Sequence, residues 1–275
     1  MKISVIIPTY KPKAYLWECL NSLCNQSFHF EDYEIIIVLN GCKEPYDSQI
    51  NEFIHLHNKQ NWKYFQTDES GVSNARNIAL RISTGDYIAF VDDDDYVSPN
   101  YLEELYAVSD PETIAISNVQ AFEDSKPNEK IPYFISDAFD AYSQRGKTDA
   151  GNVRKFFSST CMKLISRDII HGRTFDTRFK NSEDSLFMFQ ISDKIKYLNF
   201  TSASAMYYRR YRENSALMAR KSKTSVIGNS IKVIGVYTCT YFRHPLQYSF
   251  KRYIMAVLGM FHYIIVNVKW SLYAQ

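Results

Sequence analysis

The chain has 275 residues, 45% of them hydrophobic and 23% charged, and a formal net charge of +2. A domain near this size buries roughly 75% of the surface that its unfolded chain exposes, which excludes a disulfide-stapled miniprotein and a disordered tail. The near-neutral charge is a sum of opposites: residues 201–275 hold 11 Lys and Arg against one acid, Glu213, a balance of +10, which leaves −8 for the first 200 residues.

The apolar run Ile3–Ile7, closed by Pro8, predicts a buried strand, and it is too short for the core of a secretory signal. Pro12 can open a helix, with Leu16, Leu20 and Leu23 spaced i, i+4, i+7. Tyr33–Leu39 is almost wholly β-branched and apolar, which suits a central strand covered on both faces; Asn40-Gly41 ends it. Residues 46–59 read as a weaker helix and Trp62–Gln66 as a short strand. Ser73–Ser83 carries Ala75, Ile78, Ala79 and Ile82 at helical spacing, and Thr84-Gly85-Asp86 breaks it. Tyr87–Val91 reads as a strand, Ser98 as the cap of a helix starting at Pro99, and Ile114–Val119 as one further strand.

Strand alternating with helix predicts an α/β fold, a mostly parallel sheet flanked by helices. In such sheets ligands bind at the carboxyl ends of strands, so the residues after Ile7, Leu39 and Val91 are where chemistry is expected. Residues 123–152, poor in apolar periodicity, read as a long loop. Cys161–Ile165 reads as a strand, 182–193 as a helix and Ala205–Tyr211 as extended. From about 224 the pattern turns into long basic-apolar helices broken near Pro245. The uncharged stretch Tyr253–Val268 is 16 residues long and includes His262 and Asn267, short of a membrane span. Five cysteines without a Cys-x-x-Cys pair point to thiols in a reducing compartment.

Four consecutive acids, Asp92 to Asp95, follow the apolar strand Tyr87–Val91. Like charges this close raise one another's pKa, and a divalent cation is a reason to hold them together. In extended backbone Asp92 and Asp94 would share one side, suited to metal or nucleotide, while Asp95 would face water and cap the next helix. Asp-x-Asp after a strand is also the pattern of haloacid-dehalogenase-like phosphatases, whose first Asp is the nucleophile. Theirs lies near the start of the chain; here it is at residue 92.

Five segments in one order extend the pattern: Val5–Tyr10, Glu34–Val38 with Asn40-Gly41, Gly71–Asn77, Gly85–Asp95, and Glu183-Asp184. Over about residues 1–215 the chain resembles glycosyltransferase family 2, with its Rossmann-like GT-A fold. The resemblance implies inverting transfer of a sugar from a nucleotide-diphosphate sugar to an acceptor hydroxyl. In that picture Pro8, Thr9 and Tyr10 line the nucleoside pocket, Asn40 approaches the base edge, and Asp92 and Asp93 lie near ribose and diphosphate. Asp94, with Asp92, is the expected ligand of Mg²⁺ or Mn²⁺. Arg76 adds positive charge near the donor or fixes the acidic loop. Asp184 is the expected catalytic base and Glu183 the second choice; a bare acidic pair would otherwise read as charges at a helix start.

Two departures from the family stand out. Many members carry two acids where this chain has Leu39-Asn40, so the donor base is left open. Many also place a His near Tyr208–Ser215; here the stretch holds Arg209, Arg210 and Arg212, expected either on the diphosphate or in an exposed basic segment. Lys163 is expected to support structure.

The resulting organisation is a GT-A-like domain over 1–215, with a nucleotide half over 1–120 and an acceptor half over 121–215, and a basic helical extension over 216–275. The extension, with Arg220, Lys221, Lys223, Lys232, Arg243, Lys251, Arg252 and Lys269 among apolar residues, reads as a contact to an anionic membrane surface, or as helices packed on the catalytic domain or across a homodimer. The protein is expected in the cytoplasm, peripheral on the cytosolic membrane face, with a glycan or lipid-linked glycan acceptor and no nucleic acid. The alternatives are the Asp-nucleophile phosphatase and a non-catalytic nucleotide-binding member.

Overall fold

The structure, a computed structural model, describes residues 1–57, 61–212 and 222–273, with the backbone alone at residues 152 and 268–273. The first half alternates as its apolar runs predict: β1 (Ile3–Thr9), α1 (Ala14–Cys24), β2 (Tyr33–Asn40), α2 (Tyr46–His57), β3 (Trp62–Thr67), α3 (Val72–Ile82) and β4 (Tyr87–Phe90). The four strands run parallel in the order β3-β2-β1-β4. Every residue of β2 is buried, as its unbroken β-branched composition requires of a strand covered on both faces.

The charged residue in that strand, Glu34, is satisfied in place. It accepts from Ser4 Oγ at 2.6 Å and from the Thr84 backbone N–H at 2.6 Å, and it pairs with Lys63 Nζ at 2.6 Å. The same cluster fixes the break before β4: Gly85 N–H donates to Ser4 Oγ at 2.8 Å. A Cβ at Gly85 would lie 2.5 Å from the Ser4 backbone nitrogen and 2.7 Å from the Ile3 carbonyl carbon, so only glycine fits against β1. Gly85→Ala is expected to lower stability by about 1–3 kcal/mol in urea unfolding, the usual cost of overpacking.

Next come β5 (Tyr96–Val97), α4 (Tyr101–Ala107), β6 (Thr113–Ile116) and β7 (Asn118–Glu123). Ser98 does not cap α4, which starts at Tyr101. Its hydroxyl donates to Asn100 Oδ1 and accepts from Met206 N–H, each at 2.8 Å, which ties the turn to a later strand. The single strand expected over Ile114–Val119 is two strands in different sheets, parted at the buried Ser117.

Residues 123–152 are not a long loop. They hold β8 (Lys126–Ile131), α5 (Phe134–Tyr142) and β9 (Thr148–Asp149). β8 is an edge strand, polar and exposed nearly throughout, so it carries no apolar period to read. The chain continues through β10 (Lys163–Ser166), α6 (Arg167–Ile170), α7 (Glu183–Gln190), β11 (Tyr197–Phe200) and β12 (Met206–Tyr211). β10 enters the first sheet antiparallel between β4 and β6, giving the order β3-β2-β1-β4-β10-β6-β11-β9; β5-β12-β7-β8 form a smaller second sheet. No cysteine forms a disulfide.

Two long helices, α8 (Lys223–Arg243) and α9 (Phe250–Tyr273), close the chain on either side of Pro245, as the sequence predicts. They pack on each other and share a core with α7: Val233, Tyr237 and Met260 bury against Phe179, Leu186 and Phe189. Tyr237 OH donates to Ser185 Oγ at 3.2 Å, and Tyr248 OH donates to the Gln190 carbonyl at 2.7 Å. α8 and α9 therefore pack as one unit with α7. The boundary drawn at 215, with Arg220 and Lys221, lies outside the described residues. Among the described residues no helix is long and apolar enough to cross a membrane.

Candidate active site

The four acids lie where parallel-sheet geometry places a ligand, just past β4, but they do not alternate. The backbone turns, with Asp95 N–H donating to the Asp92 carbonyl at 3.1 Å, so each carboxylate meets a different wall. Asp95 neither faces water nor caps a helix. It is 3% exposed and accepts from Tyr207 OH at 2.6 Å and from the Arg210 N–H at 2.7 Å. The Tyr207 hydroxyl also accepts from Asp92 N–H at 3.2 Å, so one buried side chain pins both ends of the turn. Asp93 accepts from Thr9 Oγ1 at 2.5 Å, at the carboxyl end of β1. Burial, then the neighbouring Asp94 charge, push its carboxyl up to about 7.

Arg76, on α3, joins the two halves of the site. Its guanidinium is buried and gives Nη2 to Asp92 Oδ1 at 2.9 Å and Nη1 to Asp184 Oδ1 at 2.5 Å; Glu183 Oε1 lies 3.7 Å from the same Nη1. Burial pushes its pKa down, but Asp184 and Asp92 outweigh that and hold it above the ordinary value. A cation–π contact backs it, with the guanidinium carbon 5.2 Å from the Phe175 ring centre, and Phe175 itself stacks on Phe187 of α7 at 4.1 Å. Asn77, the next residue on α3, grips the Phe175 backbone with both ends of its amide, at 2.9 and 2.7 Å.

Asp184 and Glu183 open α7. Asp184 Oδ2 also accepts from Thr160 N–H at 3.3 Å. Burial, then the adjacent Asp184 charge, push Glu183 up to about 7. The residue before them, Ser182, sits at φ 67°, a left-handed backbone rare outside glycine, and such strain collects at functional sites.

The other expected donor residues divide. Tyr10 is 49% exposed beside Gly41, while Pro8 and Thr9 are buried in β1. Asn40 is turned inward. Its amide donates to the Thr9 carbonyl at 2.7 Å and accepts from Gly71 N–H at 2.8 Å. The two ends of the amide thus join β1 to the turn before α3.

Two of the three arginines, Arg210 and Arg212, are fastened to acids. Arg212 Nε pairs with Asp94 Oδ2 at 2.6 Å, and its guanidinium stacks 4.4 Å from the Tyr15 ring centre. Arg210 pairs with Glu18 and with Asp124, the latter at 2.6 Å, and donates to the Asp94 carbonyl at 2.9 Å. Arg209 donates to Tyr133 OH at 3.0 Å. Lys163 is buried and donates to the Cys161 carbonyl at 3.0 Å, the supporting role expected of it; burial brings its ammonium down to about 8. Among the described residues no three His, Cys, Asp or Glu side chains converge as a complete metal cage. Burial, then the Asp92 charge, raise the Asp94 carboxyl, so the two carboxylates lie close together in the turn, the donor type that Mg²⁺ or Mn²⁺ takes when substrate phosphates complete the shell.

A cavity of about 690 Å³ runs from these residues to the last helix. Asp92, Glu183, Asp184 and Arg209 stand at one end; Arg154, Lys251, Met255 and Tyr263 stand at the other. One large mostly apolar-lined cleft with a few convergent polar groups is the usual form of a substrate site.

The model of glycosyl transferase family 2 matches residues 4–173. The chain belongs to glycosyltransferase family 2. Among its relatives is the poly(ribitol-phosphate) β-N-acetylglucosaminyltransferase TarS of Staphylococcus aureus strain MW2, 30% identical over 78% of this chain and 36% of that protein. Another is the minor teichoic acid biosynthesis protein GgaB of Bacillus subtilis, 29% identical over 83% of this chain and 25% of that protein. The chain thus spans about a quarter to a third of these relatives' length. Among solved structures, S. aureus TarS 1–349 with UDP-GlcNAc aligns at TM-score 0.73 and 22% identity, over 96% of this chain and 72% of that one. GalNAc-T7 with UDP, GalNAc and Mn²⁺ aligns at 0.61 and 16%, over 87% of this chain and 49% of that one. These likenesses carry the GT-A fold.

For this family 2 chain, several site residues escape sequence reasoning. Tyr207 holds the acid turn, Thr160 meets Asp184, and Tyr15 backs Arg212. Strand alternation places Tyr207 on an inward face, which is a signal for burial but not for its partner. Nothing local marks Thr160 or Tyr15, because their partners are 24 and 197 residues away.

Proposed function

We propose that this chain transfers a sugar from a nucleotide-diphosphate sugar to an acceptor hydroxyl, with inversion at the anomeric carbon, in the assembly of a cell-surface polysaccharide or glycolipid. The observation that carries this is the Arg76 bridge, which holds the acid turn past β4 and the acidic start of α7 on one cavity. Direct inversion needs a base placed apart from the groups that hold the leaving diphosphate, and the separate carboxylate of Asp184 on α7, beside the donor-side acid turn, supplies a candidate.

In this reading Tyr10 faces the nucleoside, and Asp93, held by Thr9, lies towards ribose and diphosphate. Asp94 and Asp92 would hold a divalent cation, whose chemistry when bound is to neutralise charge on the departing diphosphate. Arg212, already on Asp94, and Arg209, on the cavity wall, keep fixed positive charge near that diphosphate. Asp184 takes the acceptor proton. The acceptor, a glycan or a lipid-linked glycan, enters between α7 and α9. The teichoic acid relatives support a cell-surface product, and the UDP-GlcNAc complex of TarS supports a UDP-sugar donor. We place the reaction in the cytoplasm. Family membership leaves the Asp-nucleophile phosphatase without support.

Calorimetric titration of UDP, GDP, dTDP and CDP, with Mn²⁺ and again with EDTA, tests the donor site. UDP is expected to bind, and only with metal. Equal binding in EDTA would remove the cation from the mechanism, and no binding of any diphosphate would sink the donor site itself.

A further inference from the structure

The inner face of α8 and α9 is accounted for by α7, but their outer face is covered by nothing in the chain's described residues. Ile231, Phe242, Phe250, Leu258 and Phe261 are each more than half exposed there, and Leu246, at the bend between the helices, is fully exposed. Leaving this much contiguous apolar surface in water is unusual for a protein that has no partner for it. The charge around it is of one sign. Residues 222–273 contain six Lys or Arg and no Asp or Glu. Arg252 is turned to the Ser192 and Ile195 carbonyls and Lys251 borders the cavity, while Lys232 and Arg243 are exposed on α8.

We propose that the outer face of α8–α9 lies in the plane of an anionic lipid bilayer, with the bend at Leu246 inserted deepest. An in-plane helix pair needs an apolar face, flanking bases and too little hydrophobic length to span, and all three are present. A second copy of the chain fits this face less well, because a symmetric contact would bring an all-basic surface against itself. The docked geometry has a consequence for the cavity. Its far wall is α9, and Arg154, which donates to the Met255 carbonyl at 3.4 Å, borders it there. The helix that meets the bilayer on one side therefore lines the cavity on the other. Docking itself does not depend on the proposed transfer reaction.

The test is flotation of the full chain with vesicles of phosphatidylcholine alone or mixed with phosphatidylglycerol, at low and high salt. Binding is expected only to the anionic vesicles, and salt weakens it. Lys232→Glu with Arg243→Glu is expected to lower the partition coefficient roughly thirty-fold or more, from the loss of two lipid-facing bases. Leu246→Asp is expected to abolish flotation; because that side chain touches nothing, an unchanged melting temperature separates lost docking from lost fold. Absence of flotation at every composition overturns the proposal. So does a dimer in light scattering that Phe242→Ser dissolves, since the face would then be an interface between copies.

Discussion

Asp184→Asn is expected to lower kcat by about 10²- to 10⁴-fold, the range for a lost general base, while nucleotide-diphosphate affinity stays near that of the parent. Asn keeps the shape of the side chain and can still accept from Thr160 N–H but weakens the Arg76 pair, so a urea midpoint measured alongside separates lost proton transfer from lost positioning. A companion pH profile separates the two acids. Burial and the adjacent Asp184 charge push Glu183 up to about 7. A proton taken up there weakens the anionic pair that draws on the acceptor proton, so kcat/KM falls as pH drops through neutrality. Glu183→Gln is expected to flatten that acid limb while keeping most of the turnover above it. The reverse pattern, with full turnover in Asp184→Asn and none in Glu183→Gln, would exchange the two roles.

How far the sequence carried this site depends on the kind of contact. The parallel strands were legible because each is an apolar run with its own turn signal, and the acids stood out because they follow one of those runs. Register within the acid turn was not legible. Four identical side chains carry no signal of which bends away, and Asp95 is drawn inward by Tyr207 and Arg210, more than 110 residues later. Asn40 meets a related limit: an amide at a strand end can serve a ligand or a neighbouring turn, and only the position of Gly71 reveals the contact it makes. The tail shows the opposite case. Its helices and their break at Pro245 are plain in periodicity, yet periodicity cannot say that α7 is what they bury. β8 was missed because an exposed edge strand has no buried face to pattern its residues.

Arg76→Met is expected to be the most damaging single substitution away from the acids themselves. It keeps an unbranched apolar stem but ends short of the guanidinium, so it loses the contact with Phe175 and leaves Asp92 and Asp184 facing each other across the gap. Breaking a buried pair by removing one partner costs about 3–5 kcal/mol, so a large fall in urea midpoint is expected. Turnover should fall further than folding explains, because the bridge sets the distance between the donor turn and the base. Arg76→Lys separates these two effects. An ammonium restores the charge but offers no fork, so it reaches one carboxylate well and the other poorly. Stability is then largely recovered while kcat is not. The coupling can be read in the double variant with Asp184→Asn: once the base is neutral, the arginine has one anion fewer to hold, and the two substitutions should cost less together than the sum of their separate effects. Strict additivity of the two would mean that Arg76 serves the fold alone, and that the acid turn and α7 are positioned independently.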